Sequence, residues 1–582
     1  MSDQRDRLPS IQGSARDKST NTTRTAHIFA IDCQSPCGLL RIATTGLVMA
    51  ALLACSHGES NVASGNRQGV LHFGNFSEPQ SIDPHVMSGS PEVNIANALY
   101  EGLVVRNPAT LEMDPGVAER WDISHDGKVM TFHLNPDARW SNGDPVTADD
   151  FVWSLRRSLH PDMGNQMAYI LFPIVGAEAF SKGELTDADL LGVRALDPLT
   201  LRITLENPDP YFLGILGTYT TFPVHRATVE AHGKFSDRFT PWTRVENFVG
   251  NGPFTLTQWK LNRRLEVSKS ETYWDADNVA LNGVVFHPVD KEVSEERMFR
   301  AGQLHYTAQV PINKIPVYKK LTDSPYRQAP WQGSYYLQFN INRPPVNDRR
   351  VRKALAMSID RKKIVETVLL GTELPSSALV PAGTPNYTSP DILRYDPEQA
   401  RTLLAESGYP GGQGWPGLEY LYNTSENHRR IAIALQQMWK DELNIDISLI
   451  NQEWKVYLDT ITQKNYTMSR RGWIASDLNP AAFLAGFTSG NGNNDTGFSN
   501  FRFDEILLKH GPETPDLAER LALMQEAEAI LLQSAAVIPL YTYNSKHLVQ
   551  PSVKGAPGNV LDIVRFKYIS LDPNQPVWGD RK

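Results

Sequence analysis

The sequence predicts a mixed α/β protein with more than one folding unit, and three observations carry that prediction. The chain has 582 residues, which at about 100–200 residues per domain exceeds one small core. From residue 70 onward, strand-like and helix-like segments alternate without a fixed repeat or a low-complexity stretch, the pattern of layered α/β architecture. Hydrophobic residues make up 41% and charged residues 21%, soluble globular usage that excludes global disorder and collagen-like repeats.

Charge and cysteine placement narrow the function classes. The net charge of −8 comes from 57 basic and 65 acidic residues, with no basic block interleaved with aromatics, which argues against a nucleic-acid binder. All three cysteines, Cys33, Cys37 and Cys55, lie near the N-terminus. Everything downstream folds without disulfides, and a thiol redox centre, a cysteine nucleophile and a thiolate metal site are excluded there. No metal site and no cofactor is expected.

Residues 42–54 carry no charge and follow Arg41. A bilayer span needs about 20 apolar residues, so this stretch fits the apolar region of a secretory signal instead. Leu52-Leu53-Ala54-Cys55 looks like a bacterial lipobox, in which Cys55 is acylated and holds the mature protein on a membrane surface. An ordinary signal cleaved nearby, with Cys55 incidental, is the alternative. The polar residues ahead of this segment are long for a signal, so the true start lies downstream or the leader is extended. The expectation is a leader over 1–54, a Ser/Gly/Asn linker over 55–69, and an exported soluble body on a tether.

Within that body, residues 121–134 read as a hairpin whose Asp126-Gly127 supplies a tight primed turn. Thr147 caps a helix carrying Phe151, Leu155 and Leu159, with Asp150 three residues on. Asn347-Asp348 opens a second helix with Val351, Ala354, Leu355 and Ser358 on one face, and Asp360 caps a third through Ile364, Val365 and Val368. Ile431, Leu435, Met438, Trp439 and Leu443 form a helical stripe, after which Ile445, Ile447 and Leu449 alternate with Asp446 and Ser448 as a half-buried strand. Thr514-Pro515 supplies a cap and first-turn proline for the helix of Leu517, Leu521, Met524 and Leu531. These stripes are core and carry no chemistry.

Catalytic signatures are absent: there is no Gly-x-Ser-x-Gly elbow, no phosphate loop, no His-Glu-x-x-His and no dinucleotide fingerprint. A triad is assembled in space, so this reduces the enzyme reading without eliminating it. Aromatic and polar residues do cluster at 331–336, 451–457 and 469–483, outside amphipathic helices. Such clusters suit a pocket that holds varied side chains while fixing a polar backbone, although any one tryptophan among them reads equally as packed core.

A series of motifs then resembles a known family. Glu78-Pro79-Gln80-Ser81-Ile82-Asp83-Pro84-His85, Ser90-Pro91-Glu92-Val93-Asn94-Ile95 and Leu99-Tyr100-Glu101-Gly102-Leu103 look like the opening of bacterial extracellular solute-binding proteins of the oligopeptide-binding family. Trp140-Ser141-Asn142-Gly143-Asp144, Asn251-Gly252-Pro253-Phe254, Tyr422-Asn423-Thr424-Ser425, Asn451-Gln452-Glu453-Trp454-Lys455, Arg470-Arg471-Gly472-Trp473 and Asn493-Asn494-Asp495-Thr496-Gly497 continue it in family order over most of residues 70–570.

The resemblance implies a two-lobed periplasmic binding protein-like fold (type 2) with a hinge and an additional domain in its first half. Lobe I would combine 70–100, 227–330 and 544–582, the additional domain 101–226, and lobe II 331–543. It also implies a monomeric, non-enzymatic, lipid-anchored protein that captures a short peptide between its lobes and passes it to an ABC permease driven by ATPase subunits. The same fold binding a dipeptide, a cell-wall peptide or an opine, or an exported hydrolase, are the alternatives.

By similarity, the main chain of Ser88-Gly89-Ser90 and that of Trp473-Ile474-Ala475-Ser476 flank the ligand, and His428 and Trp454 line side-chain pockets or meet the peptide's end. Alternation along a strand aims only one of Tyr335 and Tyr336 inward. Arg470 matches an arginine near the peptide carboxylate, where a fork of donors fits; a second family arginine falls here on Ile461. The family's amine-binding aspartate falls on Ser476, with Asp477 next. Either a local bulge brings Asp477 to the amine or the ligand has none. The first is favoured, because a buried ammonium without a counter-charge costs on the order of several kcal/mol.

Overall fold

The computed structural model describes residues 59–579 except Ser476 and Pro515. The leader and the expected acylation at Cys55 lie outside the described residues. Residues 61–68, expected within a linker, instead form the helix Asn61–Gln68. Ser60 Oγ accepts from Ala63 N at 3.2 Å and Gly69, at φ 68°, ends the helix. The Ser, Asn and Gly that read as linker composition are therefore in part cap residues. Val62 is buried, and Asn66 Oδ1 meets His305 Nε2 at 3.1 Å, which docks the helix on the first lobe.

That lobe is built on the sheet β1 (Val70–Gly74), β10 (Gly283–His287), β9 (Arg264–Lys269) and β8 (Phe254–Lys260), in this order. β1 runs parallel to β10, and the other pairs are antiparallel. Alternation sends Leu71, Phe73, Leu265 and Val267 into one core. Phe566 returns to meet Phe73 edge-on at 5.3 Å, in a C-terminal segment flanked by the paired β17 (Val553–Lys554) and β18 (Ser570–Leu571).

The additional domain begins with the paired β2 (Val104–Arg106) and β3 (Met113–Pro115). Its antiparallel sheet then orders β4 (Ala118–Ile123), β5 (Val129–Leu134), β7 (Thr200–Thr204) and β6 (Val193–Asp197). The β4–β5 hairpin forms where expected, but through a longer turn than the primed one: Ser124 N donates to Val129 O at 2.8 Å, and of Asp126 and Gly127 only the glycine has positive φ. The helix Ala148–Leu159 buries Phe151, Leu155 and Leu159 behind the sheet. Asp150 accepts from both Thr147 N and Thr147 Oγ1, at 2.8 and 3.0 Å. Phe222 and Val224 pack in the core of lobe I rather than in that of the additional domain.

Lobe II holds six strands in the order β12 (Leu374–Pro375), β16 (Val537–Leu548), β11 (Tyr326–Phe339), β15 (Met468–Ile474), β13 (Leu418–Asn423) and β14 (Ile447–Gln452). The helix Glu426–Leu443 lays Ile431, Leu435 and Trp439 on this sheet's core. The helix Leu517–Ser534 is capped by Asp516, which accepts from Glu519 N, not by Thr514. β11 and β16 are long enough to run between cores. At one end Tyr326 pairs with Leu548 beside Phe299 and Leu304, and at the other Leu337 pairs with Ile538 inside lobe II. Their register shifts between Pro330 and Ser334 and again between Tyr335 and Tyr336, irregularities that locally interrupt the ladder and bend a strand.

Candidate functional site

A chamber of about 720 Å³ opens between the three cores, within the size range of small-ligand sites. Ser88, Gly89 and Ser90 face it from lobe I, Arg106 and Asp209 from the additional domain, and β15 from lobe II. β15 is the main structural feature of the wall. Along one edge it pairs with β11 over its whole length, Gly333 opposite Ile474 through Phe339 opposite Met468. Along the other it pairs with β13 only at Met468 and Ser469. Beyond Ser469 that edge has no strand partner among the described residues; Arg470 O accepts from the Tyr457 hydroxyl, and the exposed edge from Arg471 to Ile474 is a template for an extended backbone.

Where β13 diverges, Arg470 fills the gap. Its Nη1 donates to Asn423 Oδ1 at 2.9 Å and its Nη2 to Tyr543 Oη at 3.1 Å, while its guanidinium lies 5.1 Å from the centre of the Tyr335 ring. Its Nε is buried and has no hydrogen-bond partner, and among the described residues it forms no ion pair. Next to it, burial and the Arg470 charge hold the His428 imidazole well below its usual range, hence neutral, and His428 Nδ1 is likewise unpartnered. Arg471 differs, because Asp495 engages it at 3.4 Å. A desolvated cation beside a neutral donor-acceptor ring suits a carboxylate.

Asp477 lies beyond the last strand residue of β15, past Ala475, whose N–H still reaches Gln332 O at 3.0 Å. Strand alternation therefore does not decide where its side chain points. The residue is 8% exposed, lines the chamber, and accepts from Asn479 N at 2.8 Å. Burial raises its carboxyl to about 6, with the Asn479 N–H and Arg106 opposing and Asp209 adding to the rise. Among the described residues no cation pairs with it. Ser476 lies outside the described residues.

Trp454 begins the helix Trp454–Thr462 and closes on lobe I at Gly89. That glycine has φ 113°, and a Cβ there would sit 2.9 Å from Trp454 Cζ2, so the position needs glycine for both backbone and clearance. Ser88, Gly89, Ser90, His428, Trp454, Arg470, Trp473, Ile474 and Asp477 all border the chamber. Tyr335 and Tyr336 do not, which corrects the expectation that one points inward. Tyr335 stacks on Tyr541 at 4.7 Å behind Arg470, and Tyr336 packs edge-on against Phe487 at 6.1 Å in the core of lobe II. Alternation identified opposite faces, but both faces of β11 are covered by protein. The sequence reading missed Arg106, Asp209 and Tyr543, which lie outside the aromatic clusters; for Asn423 the quoted motif was the available signal.

A lobed α/β body with an interlobe chamber, an unpaired strand edge and separated charged groups defines a solute-binding protein. Residues 112–495 match the family described as "Bacterial extracellular solute-binding proteins, family 5 Middle", and the chain belongs to that family. It is 38% identical over 497 residues to the periplasmic oligopeptide-binding protein OppA of Escherichia coli, covering 83% of this chain and 89% of the relative. The structure of the E. coli murein tripeptide binding protein MppA superposes with a TM-score of 0.82 at 35% identity, over 86% of this chain and 98% of that one. The unliganded open form of MppA, covering 87% and 97%, reaches only 0.59. Haemophilus influenzae OppA in complex with the peptide RPPGFSPFR gives 0.83 at 31% identity, covering 87% and 99%. The chain thus superposes less well on the form described as open than on the other MppA structure and on peptide-bound OppA. In the present structure the lobes meet, Trp454 of lobe II lying against Gly89 of lobe I, which is a closed arrangement.

Proposed function

We propose that this protein is the substrate-binding component of an ABC importer that captures short peptides between its lobes and delivers them intact to a membrane permease. The observation that carries this reading is the unpaired edge of β15 from Arg471 to Ile474, bordered by the Arg470 guanidinium, which has no ion pair among the described residues, and by Asp477. An extended peptide adds there as a strand, so affinity comes from backbone groups and side chains are tolerated. Its amine meets Asp477 and its carboxylate Arg470. No catalytic step is assigned. Export and anchoring through acyl-Cys55 complete the reading, with the permease and its ATPase subunits as partners.

Calorimetry with Ala-based tri- and tetrapeptides, followed by mass spectrometry of the bound fraction, tests it. Free-ended peptides are expected to bind and to be recovered uncleaved, and N-acetylation is expected to weaken them about tenfold or more, as loss of one charge-assisted contact requires. Absence of binding by every peptide, or recovery of cleaved products, contradicts it.

A further inference from the structure

The chamber contains a second cationic corner that the contacts above do not use. Arg106, at the end of β2, and Arg565, in the returning C-terminal segment, both line it. They flank a single turn: Gly217 N donates to Gly214 O at 3.2 Å, Arg565 Nη2 donates to Gly217 O at 3.1 Å, and a Cβ on Gly214 would stand 2.4 Å from Arg106 Nη2. The missing side chain of Gly214 thus makes room for one guanidinium, and the Gly217 carbonyl holds the other, on one stretch of backbone.

Neither cation has a carboxylate in contact, although the Asp477 charge acts on Arg106 and the Glu101 charge on Arg565. Arg106 donates to Leu111 O at 2.8 Å, and Arg565 donates to Asn97 Oδ1 at 2.6 Å. Among the described residues neither forms an ion pair. Arg565 is 7% exposed and its Nε has no partner. The nearby acids are engaged elsewhere. Glu101 is held by Tyr273, Trp274 and Lys567, and Asp114 accepts from Asn107 Nδ2 and Tyr568 Oη at 2.8 and 2.9 Å. Burial lowers Arg565 to about 10, with Tyr568 and Glu101 opposing and the Arg106 charge adding to the fall. Two like charges held in partial burial without a carboxylate in contact are costly unless an anion joins them.

We propose that Arg106 and Arg565 form a carboxylate-binding corner, selecting peptides that carry an acidic side chain close to their amino end. The proximity to the amine follows from Asp477, which lines the same chamber as Arg106 and whose charge acts on it. This proposal rests on the peptide reading above. It makes the protein selective at one ligand position, against the side-chain tolerance expected at the others.

Calorimetry with tetra-alanine peptides carrying Glu, Gln or Lys at each position tests it, on the wild type and on Arg106→Gln and Arg565→Gln. At the first or second position Glu is expected to bind about tenfold tighter than Gln, the worth of one hydrogen-bonded charge, with Lys weaker than both. In Arg106→Gln the Glu-to-Gln ratio is expected to fall to about one. Arg106 is half-buried, so this variant keeps the test decisive if the buried Arg565→Gln misfolds. Equal binding of Glu and Gln peptides, or a preference that survives Arg106→Gln, overturns the corner and leaves peptide capture standing. Failure of every peptide to bind overturns both.

Discussion

At the residue scale, the account depends on which charges in the chamber lack a protein partner. Asp477 is the clearest case. Burial raises its carboxyl to about 6, so it is ionised at neutral pH and becomes protonated on acidification. Affinity for free-amine peptides is therefore expected to fall as pH drops through about 6, and Asp477→Asn should weaken binding at pH 7.5 about tenfold while removing that pH dependence. Titration calorimetry from about two pH units below to about two units above the Asp477 transition reads both effects. Arg470→Gln is expected to cost at least about 2 kcal/mol against free carboxylates and far less against amidated peptides; equal losses for both ligands would place Arg470 in the fold rather than at the ligand. The sequence favoured Asp477 for the amine on the cost of an unpaired ammonium and not on strand geometry, because strand alternation holds only while the strand lasts. β15 ends at Ile474, so the rule did not reach the residue in question.

At the element scale, most of the fold was legible from periodicity and caps. The stripe of Ile431, Leu435 and Trp439 lies on the core because a helix with apolar residues every three or four positions has one solution against a sheet. What sequence could not supply was context. Asp516 takes the cap that Thr514 was expected to provide, since both are good cap residues and tertiary packing decides where the first turn starts. The divergence of β13 from β15 was also hidden, because strand pairing is a long-range property with no local signature. Gly89 tests an element boundary. Gly89→Ala is expected to lower stability by about 1 kcal/mol through its positive φ, and to weaken ligand binding further because the added methyl meets Trp454 only when the lobes are closed. Denaturant unfolding and calorimetry separate the two effects, and unchanged affinity would remove Gly89 from the closing contact.

At the scale of the whole molecule, closure also involves contacts between the lobes that are separate from the proposed ligand contacts. Glu292, in the helix Glu292–Arg300 beside the lobe I end of β16, accepts from Ser425 Oγ at 2.6 Å and Glu426 N at 3.3 Å. Its carboxylate thereby sits at the positive end of an 18-residue helix of lobe II. Gln166 Nε2 joins the additional domain to Thr462 Oγ1 at 3.1 Å. These bonds exist in the closed arrangement and supply free energy that the open one lacks. Glu292→Ala is therefore expected to speed ligand release about tenfold, read by stopped-flow tryptophan fluorescence, while the unfolding midpoint of the unliganded protein changes little; a release rate equal to wild type would show that the contact forms without favouring closure. The central claim is that the closed lobes hold an intact peptide by its main chain. Native mass spectrometry of the protein purified from its own cells, followed by denaturation and sequencing of what is released, tests this most directly. The account predicts one short, uncleaved peptide per chain; a non-peptide solute released in the same ratio would contradict it.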